Sequence, residues 1–305
     1  MSKLFKCTIG TDPEFFLKTG DRLVSAIPLI KGTKHDPAPL PNGGTIQRDN
    51  VAVEFATDPA KDGPDFVEKV RSCMRDALDM VPSDHDLVVI PSAEFDADQL
   101  DHPEAQEFGC DPDYNAYTVE MNEKPWCGES GFRSCGAHIH VGGLDDNGNT
   151  IEGLGFLQDF MGKINMVKGM DLFHGIVSTV LDNSEAAIKR RELYGKAGCH
   201  RSTPYGVEYR VLSNYWMKTP NLVMLMDYMT RDVARLVSSD QLQAILDEVG
   251  ENELQNIINC GDVDAANKIV DNYIKPHMSD ETLDLFEMCL EALPKMKDLR
   301  QEWGI

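Results

Sequence analysis

The feature that most constrains this sequence is the stretch GAHIHVGG at residues 136–143, where two histidines stand two residues apart in a short β-forming run between glycines. In a β-strand, residues i and i+2 point to the same face of the sheet. We therefore expect His138 and His140 to lie side by side on one face, while the apolar residues that alternate with them point into a core.

Three further stretches show the same alternation with charged side chains. Asp12 and Glu14 lie in GTDPEFFL, Glu54 lies in NVAVEFAT, and Glu208 and Arg210 lie in GVEYRVL. The residues that alternate with them are mostly valine, phenylalanine and tyrosine, which favour the buried face of a strand. The pattern predicts that these strands share one sheet and that its polar face is a metal and phosphate site.

The spacing of apolar residues and the positions of turn residues predict an α+β fold, with about six strands and with helices that cover the apolar face of the sheet. The predicted strands lie near 6–17, 21–28, 50–57, 86–95, 137–143 and 206–213. The predicted helices run over about 64–80, 151–181 and 218–238. Residues 239–305 read as an acidic helical extension, broken at Gly250, Gly261 and Pro276, which leaves 1–238 as the domain that carries the polar strands.

Two segments have weak periodicity. Residues 29–50 are rich in Gly, Pro and Lys and form a functional loop or a mobile flap, in which Lys31 and Lys34 either contact an anion or are solvated. Residues 96–135 more often cover a site than form core. Their candidate contacts to a polar substrate are Asp111, Asp113, Tyr114, Asn115 and Tyr117.

The segment 189–210 is a basic island, because six Lys and Arg residues stand there against two glutamates in a chain of formal net charge −22. Such an island indicates a bound anion, which the glycines at 195 and 198 would let the backbone approach closely. A surface patch that balances charge is the alternative. The candidate anion-binding residues are Lys196, Arg190, Arg191, Arg201 and Arg210.

The acidic composition excludes a nucleic-acid surface, which needs a basic stripe, and an anionic membrane surface. The chain has no apolar run of about 18 residues and no signal-peptide pattern, so we expect a cytoplasmic location. The eight cysteines form no CxxC pair, and free buried thiols are expected.

If the acids converge, several carboxylates on one face would repel each other in a low dielectric unless cations lie between them. Carboxylate-rich sites suit Mg²⁺ or Mn²⁺, and one imidazole is compatible with either ion. Cys135 and His138 have the spacing of a zinc half-site, but no second pair follows. Metals beside arginines are what nucleotide-dependent phosphoryl transfer needs, although no P-loop or dinucleotide-binding glycine motif is present.

The order DPE, VEF, GAHIHVGG, RRELYGKAG and EYRVLSNYW resembles the phage carboxylate-amine ligase family, within the superfamily of glutamine synthetase and glutamate-cysteine ligase. The resemblance covers roughly residues 8–220. It implies an antiparallel sheet curved into a half-barrel with helices on its convex side. It also implies ATP and Mg²⁺ as cofactors, with Arg210 and Arg201 at the ATP phosphates. The metal ligands that it implies are Asp12, Glu14, Glu54, His138, Glu208 and, with a less defined role, His140.

By the same resemblance, ATP phosphorylates a substrate carboxylate, and an amine then displaces phosphate to form an amide or peptide-like bond. The catalytic set would be Arg210, Glu208 and Arg201. Candidate substrates include an amino acid, a cell-wall peptide, a protein terminus and a polyamine, and the chain could form a homo-oligomer. Two rivals stay open: a metal-dependent hydrolase built on the HIH strand, and a non-catalytic binding protein on the ligase scaffold.

Overall fold

The computed structural model describes residues 5–106, 113–123, 131–296 and 298–305. Its strands are short and lie mostly in the first two thirds of the chain. They are β1 Thr8–Thr11, β2 Glu14–Thr19, β3 Arg22–Val24, β4 Ala38–Pro39, β5 Thr45–Asp49, β6 Ala52–Ala56, β7 His85–Val88, β8 Ser92–Glu94, β9 Tyr114–Asn115, β10 Phe132–Ser134, β11 Ile139–Gly142, β12 Cys199–Thr203 and β13 Gly206–Tyr209.

All strand pairs are antiparallel. One sheet has the order β1-β11-β13-β12-β9, and a second has the order β3-β2-β6-β5-β4, with β7 also paired to β2. β8 and β10 form a separate two-stranded pair. The strand predicted over 6–17 is divided into β1 and β2, and the strand predicted over 86–95 is divided into β7 and β8. The sequence did not predict β4, β5, β9, β10 or β12.

β1 and β2 join the two larger sheets, because only Asp12 and Pro13 separate them. Proline lacks an N–H and fixes φ, which suits a bend between two strands. Backbone hydrogen bonds continue across the bend, from Thr57 N to Thr11 O at 2.9 Å and from Glu14 N to Gly136 O at 2.9 Å. The result is one curved antiparallel half-barrel, as the resemblance implied.

Alternation along the strands separates an apolar face from a polar one. Ile139 and Val141 on β11, and Val53 and Phe55 on β6, are 0% exposed and belong to the main core. His140 and Glu54, between them, face the other side of the sheet and keep partial exposure. This is the period-2 arrangement that the sequence predicted.

The helices cover the apolar face and follow the predicted order. The long ones begin at side-chain caps, for example Asp62 before α1 and Thr219 before α6. A π-helical segment, Asp171–Gly175, joins α3 to α4. The helices are α1 Gly63–Met80, α2 Pro103–Gln106, α3 Phe160–Met170, α4 Ile176–Leu181, α5 Glu185–Leu193, α6 Pro220–Ser238, α7 Leu242–Val249, α8 Glu251–Cys260, α9 Val263–Ile269, α10 Asp280–Ala292 and α11 Leu299–Trp303.

The C-terminal helices share the main core with the rest of the chain. Trp303 is 2% exposed, and its indole N–H donates to Met217 O at 2.8 Å. Gly250 and Gly261 end α7 and α8 with positive φ, as expected from the sequence. The domain boundary at residue 238 stays a prediction.

The cysteines within the described residues are free thiols, and all of them except Cys260 are buried. Cys110 and Cys127 lie outside the described residues. No helix in the described part of the chain is both long and apolar enough to cross a membrane.

Candidate active site

Strand register brings the predicted polar residues into two rows on the polar face of the sheet. In the first row His140 lies opposite Gly10 on one side and Glu208 on the other, and Glu208 lies opposite Arg201. In the second row Glu54 lies between Glu14 and Gln47. Residues that face each other across antiparallel strands have Cβ atoms about 5 Å apart, so the polar side chains within each row meet.

The first cluster contains Asp12, His140 and Glu208, whose ligand atoms all lie within 4.8 Å of one another. Asp12 Oδ1 is 3.1 Å from His138 Nδ1 and 3.2 Å from His140 Nε2. Among the described residues, no hydrogen bond of normal geometry reaches this buried oxygen. One imidazole nitrogen and two carboxylates gathered in this way fit a divalent cation that accepts oxygen and nitrogen ligands, and His138 lies beside them.

The electrostatics of the first cluster favour an ionised Asp12. Burial alone would raise its pKa, but the neighbouring His138 and His140 hold the pKa well below its usual range. Burial and the charge of Arg210 lower the pKa of His138. Burial also acts to lower the pKa of His140, but its contact with Asp12 outweighs burial and raises it.

The second cluster contains Glu14, Asp49 and Glu54, with ligand atoms again within 4.8 Å of one another. Burial and the charge of Asp49 raise the pKa of Glu14 to about 8. Burial raises the pKa of Glu54 well above its usual value, with Asp12, Asp49 and Glu14 adding to the shift, and burial also raises the pKa of Asp49. Three crowded acids of this kind ionise together at neutral pH only when a cation offsets their charges.

Hydrogen bonds fix the side chains of the second cluster. Gly136 N donates to Glu14 Oε2 at 2.7 Å, and Gln47 Nε2 donates to Glu54 Oε2 at 2.6 Å. Each bond uses one carboxylate oxygen and leaves the other for a ligand. The donor set therefore fits Mg²⁺ or Mn²⁺, which prefer oxygen.

Arg210 and Arg201 lie at the first cluster. The guanidinium of Arg210 contacts Glu208 Oε1, lies 3.2 Å from His138 Nδ1, and approaches Asp113 Oδ2 to 3.5 Å. Arg201 Nη1 is 3.4 Å from Glu208 Oε1. Two guanidinium groups beside a ligand cluster are suited to phosphate oxygens.

The other members of the basic island lie in different places. Arg191 is buried and donates to Ser178 O and Asp182 O, at 3.4 and 3.3 Å, so its contacts stabilise the end of α4. Lys196 is exposed. The contact of these two residues with an anion stays a prediction.

Arg190 is buried behind the site. Its Nη1 donates to Val211 O at 3.0 Å, burial lowers its pKa to about 10, and the charge of Glu14 partly offsets that effect. A Cβ at position 136 would lie 3.0 Å from both Arg190 Nη2 and His138 Nε2, which explains the glycine there. Arg190 thus supports the site from beneath rather than from the open face.

The candidate substrate contacts in residues 96–135 also lie in different places. Asp113 reaches Arg210, whereas Asn115 Oδ1 accepts from Tyr117 N and closes a turn. Tyr117 donates to Asp171 at 2.8 Å and Tyr114 is exposed. Asp111 lies outside the described residues. In the loop before β5, Lys31 is exposed, and Lys34 lies close enough to Asp49 for its charge to act on that carboxylate.

Sequence reasoning missed three residues at the site: Asp49, Gln47 and Tyr205. The signal for the first two was present, because Gln47 and Asp49 alternate with the fully buried Ile46 immediately before Asn50. Asn50 has φ +54° and turns β5 into β6. Tyr205 gave no signal, since it lies in a hairpin turn and meets His140 only through folding.

A sequence model of the family described as phage phiEco32-like COOH.NH2 ligase-type 2 matches residues 128–305. This chain belongs to that family. It is therefore a carboxylate-amine ligase in general terms. The matched segment of the ligase contains His138, His140, Glu208 and Arg210 and continues through the C-terminal helices, beyond the part of the chain that carried the motif resemblance.

Solved structures resemble the ligase more distantly. A novel glutamine synthase homolog has 10% identity and a TM-score of 0.40, covering 95% of this chain and 71% of that one. A bifunctional glutathione synthetase from Pasteurella multocida has 12% identity and a TM-score of 0.39, covering 94% and 52%. GmaS in its apo form without ligand has 12% identity and a TM-score of 0.43, covering 98% and 69%. No curated protein sequence matches the chain.

Proposed function

We propose that this carboxylate-amine ligase converts ATP to ADP and phosphate as it joins a carboxylate to an amine, with Mg²⁺ or Mn²⁺ at two neighbouring sites. The observation that carries the proposal is the pair of three-residue clusters on one concave face, with Arg210 and Arg201 beside the first of them. When bound, the ions would neutralise the carboxylates and polarise phosphate oxygens.

The residues that hold the two ions would divide by cluster. Asp12, His140 and Glu208 would hold the first, with His138 beside them. Glu14, Asp49 and Glu54 would hold the second. Because each carboxylate of the second cluster loses most of its hydration on burial, the cation would supply the compensating charge that the protein lacks there.

In the proposed reaction the γ-phosphoryl group passes from ATP to an oxygen of the substrate carboxylate, which releases ADP and forms an acyl phosphate. The amine then attacks the acyl carbon and phosphate leaves, giving the amide. Arg210 and Arg201 would orient the phosphoryl oxygens and stabilise charge on them during transfer. The reaction needs no protein nucleophile, and the protein contributes position and charge.

The hydrolase rival is disfavoured by where the later histidines lie. His174 is fully buried in the π-helical segment, where its Nε2 contacts Met226 O and Thr230 Oγ1. His277 Nδ1 contacts Tyr273 O, next to α9. His200 is buried on β12, with its Nδ1 at Gly198 O. None of the three approaches His138 or His140 in the described structure.

A screen for ADP release tests the proposal. The wild-type chain should release ADP only when Mg²⁺, a carboxylate and an amine are all present, and a hydrolase would act on its substrates without ATP. Glu208→Gln and Arg210→Ala should each lower the rate by about 10²-fold or more while the protein stays folded. Arg300→Ala is the matched control, because Arg300 forms an exposed ion pair with Asp86 away from both clusters. Full activity in both site variants would contradict the assignment.

A further inference from the structure

Tyr205 is held in a fixed turn at the edge of the first cluster. It lies between β12 and β13, where Gly206 N donates to Thr203 Oγ1 at 3.1 Å and Gly143 N donates to Tyr205 O at 2.8 Å. A Cβ at position 206 would lie 2.0 Å from Val141 O, so only glycine allows the turn to approach β11 this closely. The backbone therefore presents the Tyr205 side chain to β11 in one orientation.

The Tyr205 side chain contacts the imidazole of His140. The hydroxyl lies 2.7 Å from His140 Nδ1, and the two ring centroids are 6.2 Å apart. The opposite ring nitrogen, Nε2, lies 3.2 Å from Asp12 Oδ1. The imidazole is thus held at both ends, by a neutral hydroxyl on one side and by the acidic cluster on the other.

These two contacts assign different tasks to the two nitrogens. A ring nitrogen that faces a cation must be free of its proton, and the other nitrogen then carries the proton and donates it to an oxygen. We propose that Tyr205 is a positioning residue, which accepts a hydrogen bond from His140 Nδ1–H and so keeps the Nε2 lone pair directed at the cation position between Asp12 and Glu208. The inference rests on the proposed two-cluster site and names the residue that orients its imidazole.

The side chain of Tyr205 also borders open space beside the first cluster. It lines a cavity of about 470 Å³ that begins at His140 and is also bounded by Gly10, Thr57 and Leu144. A substrate group in this cavity would touch the aromatic ring, whereas the hydroxyl would act on the histidine. Removing the hydroxyl and removing the whole ring should therefore have different effects.

Tyr205→Phe removes only the hydroxyl, and Tyr205→Leu also removes the aromatic wall. The turn is exposed enough for both variants to fold, since Tyr205 is 40% exposed. The matched control is Tyr228→Phe on α6, which removes a hydroxyl far from the clusters. In protein labelled with ¹⁵N-histidine, His140 is identified by its loss in His140→Gln, and spectra are recorded at one Mg²⁺ concentration that saturates the wild type and at a pH high enough to keep the ring of His140 neutral.

In the wild type and in Tyr228→Phe, the His140 resonances should show the proton on Nδ1. In Tyr205→Phe they should show a mixture of tautomers, and Mn²⁺ titrated by electron paramagnetic resonance should bind about ten-fold more weakly or worse, as expected when a partner of a metal-ligating histidine is removed. In turnover, Tyr205→Phe should lower kcat with little change in KM for ATP, and Tyr205→Leu should also raise KM.

A wild-type ring with its proton on Nε2 would overturn the inference. The positioning role of Tyr205 would also be rejected if Tyr205→Phe had the same His140 tautomer and the same Mn²⁺ affinity as the wild type. This holds even if the wild type released ADP as proposed. Conversely, the expected change in tautomer and affinity in a protein that released no ADP with any substrate pair would uphold the positioning role and reject the proposed reaction.

Discussion

Asp12 and Glu14 are two residues apart at the bend between β1 and β2, yet each belongs to a different ligand cluster. Asp12 lies with His140 and Glu208, and Glu14 lies with Asp49 and Glu54. Pro13 stands between them at the junction of the two sheets. The two clusters are therefore tied to each other by three consecutive residues, so a change in either cluster acts on the other through this bend.

The raised pKa values in the second cluster predict that the free energy of unfolding depends on pH and that Mg²⁺ removes this dependence. The pKa values of Glu14, Asp49 and Glu54 are raised in the folded chain, to about 8 for Glu14. A carboxyl group whose pKa is raised by folding stabilises the fold at pH values below its pKa in the unfolded chain, near 4. This stability is lost as pH rises through its pKa in the folded chain. Each such proton contributes a slope of about 1.4 kcal/mol per pH unit.

Urea unfolding in EDTA should therefore show a free energy of unfolding that falls as pH rises from about 5 to about 8. Glu14→Gln should reduce the slope, and saturating Mg²⁺ should abolish most of it because a bound cation keeps the carboxylates ionised at lower pH. KCl at matched ionic strength is the control. An equal slope with and without Mg²⁺ would mean that the cluster binds no cation.

Asp49 should be as necessary for ADP release as the acids that the sequence pointed to. Asp49→Asn keeps the size of the side chain but removes a charge from the second cluster, so we expect a loss of about 10²-fold or more, similar to that of Glu54→Gln. Asp36→Asn is the matched control, since Asp36 is an exposed acid in the preceding loop. Steady-state ADP release measures all three. Wild-type rates for Asp49→Asn would remove this residue from the site.

His174 should make the protein sensitive to acid. Burial lowers its pKa to about 4 in the folded chain, below the unfolded value of about 6.5. The contribution of the neutral imidazole to the free energy of unfolding is then fully present above about pH 6.5. It is lost as pH falls towards 4, by up to about 3 kcal/mol. Denaturant unfolding at several pH values should show a shallower acid slope for His174→Gln, and His35→Gln, at an exposed loop position, should behave as the wild type. If the free energy of unfolding of His174→Gln fell with acid as steeply as that of the wild type, His174 would not be the cause of the acid sensitivity.

The alternation of apolar and ionisable residues was local information, and it was enough to place Glu54, His140 and Glu208 on the polar face of their strands. These residues could be assigned before any pairing was known, because a strand has a period of two whatever its neighbours are. The order and approximate limits of the long helices followed from the same kind of pattern, as α1 and α6 show.

Residues from irregular segments could not be placed in this way. Asp49 ends a short alternating run that follows a stretch rich in glycine and proline, and it joins Glu14 only because β5 pairs with β6 and β6 pairs with β2. Arg190 and Arg191 are adjacent in the sequence, but successive residues on a helix point about 100° apart, so one supports the site and the other the end of α4.

The sequence by itself determined which face of each strand is polar and that carboxylates and imidazoles are carried there. Only the tertiary structure decided how those groups are divided into two clusters, that Asp49 completes the second, and that Tyr205 meets His140. The physical reason is that side-chain direction within a strand is set by local geometry, whereas the neighbours of a strand are chosen by pairing and packing between distant segments.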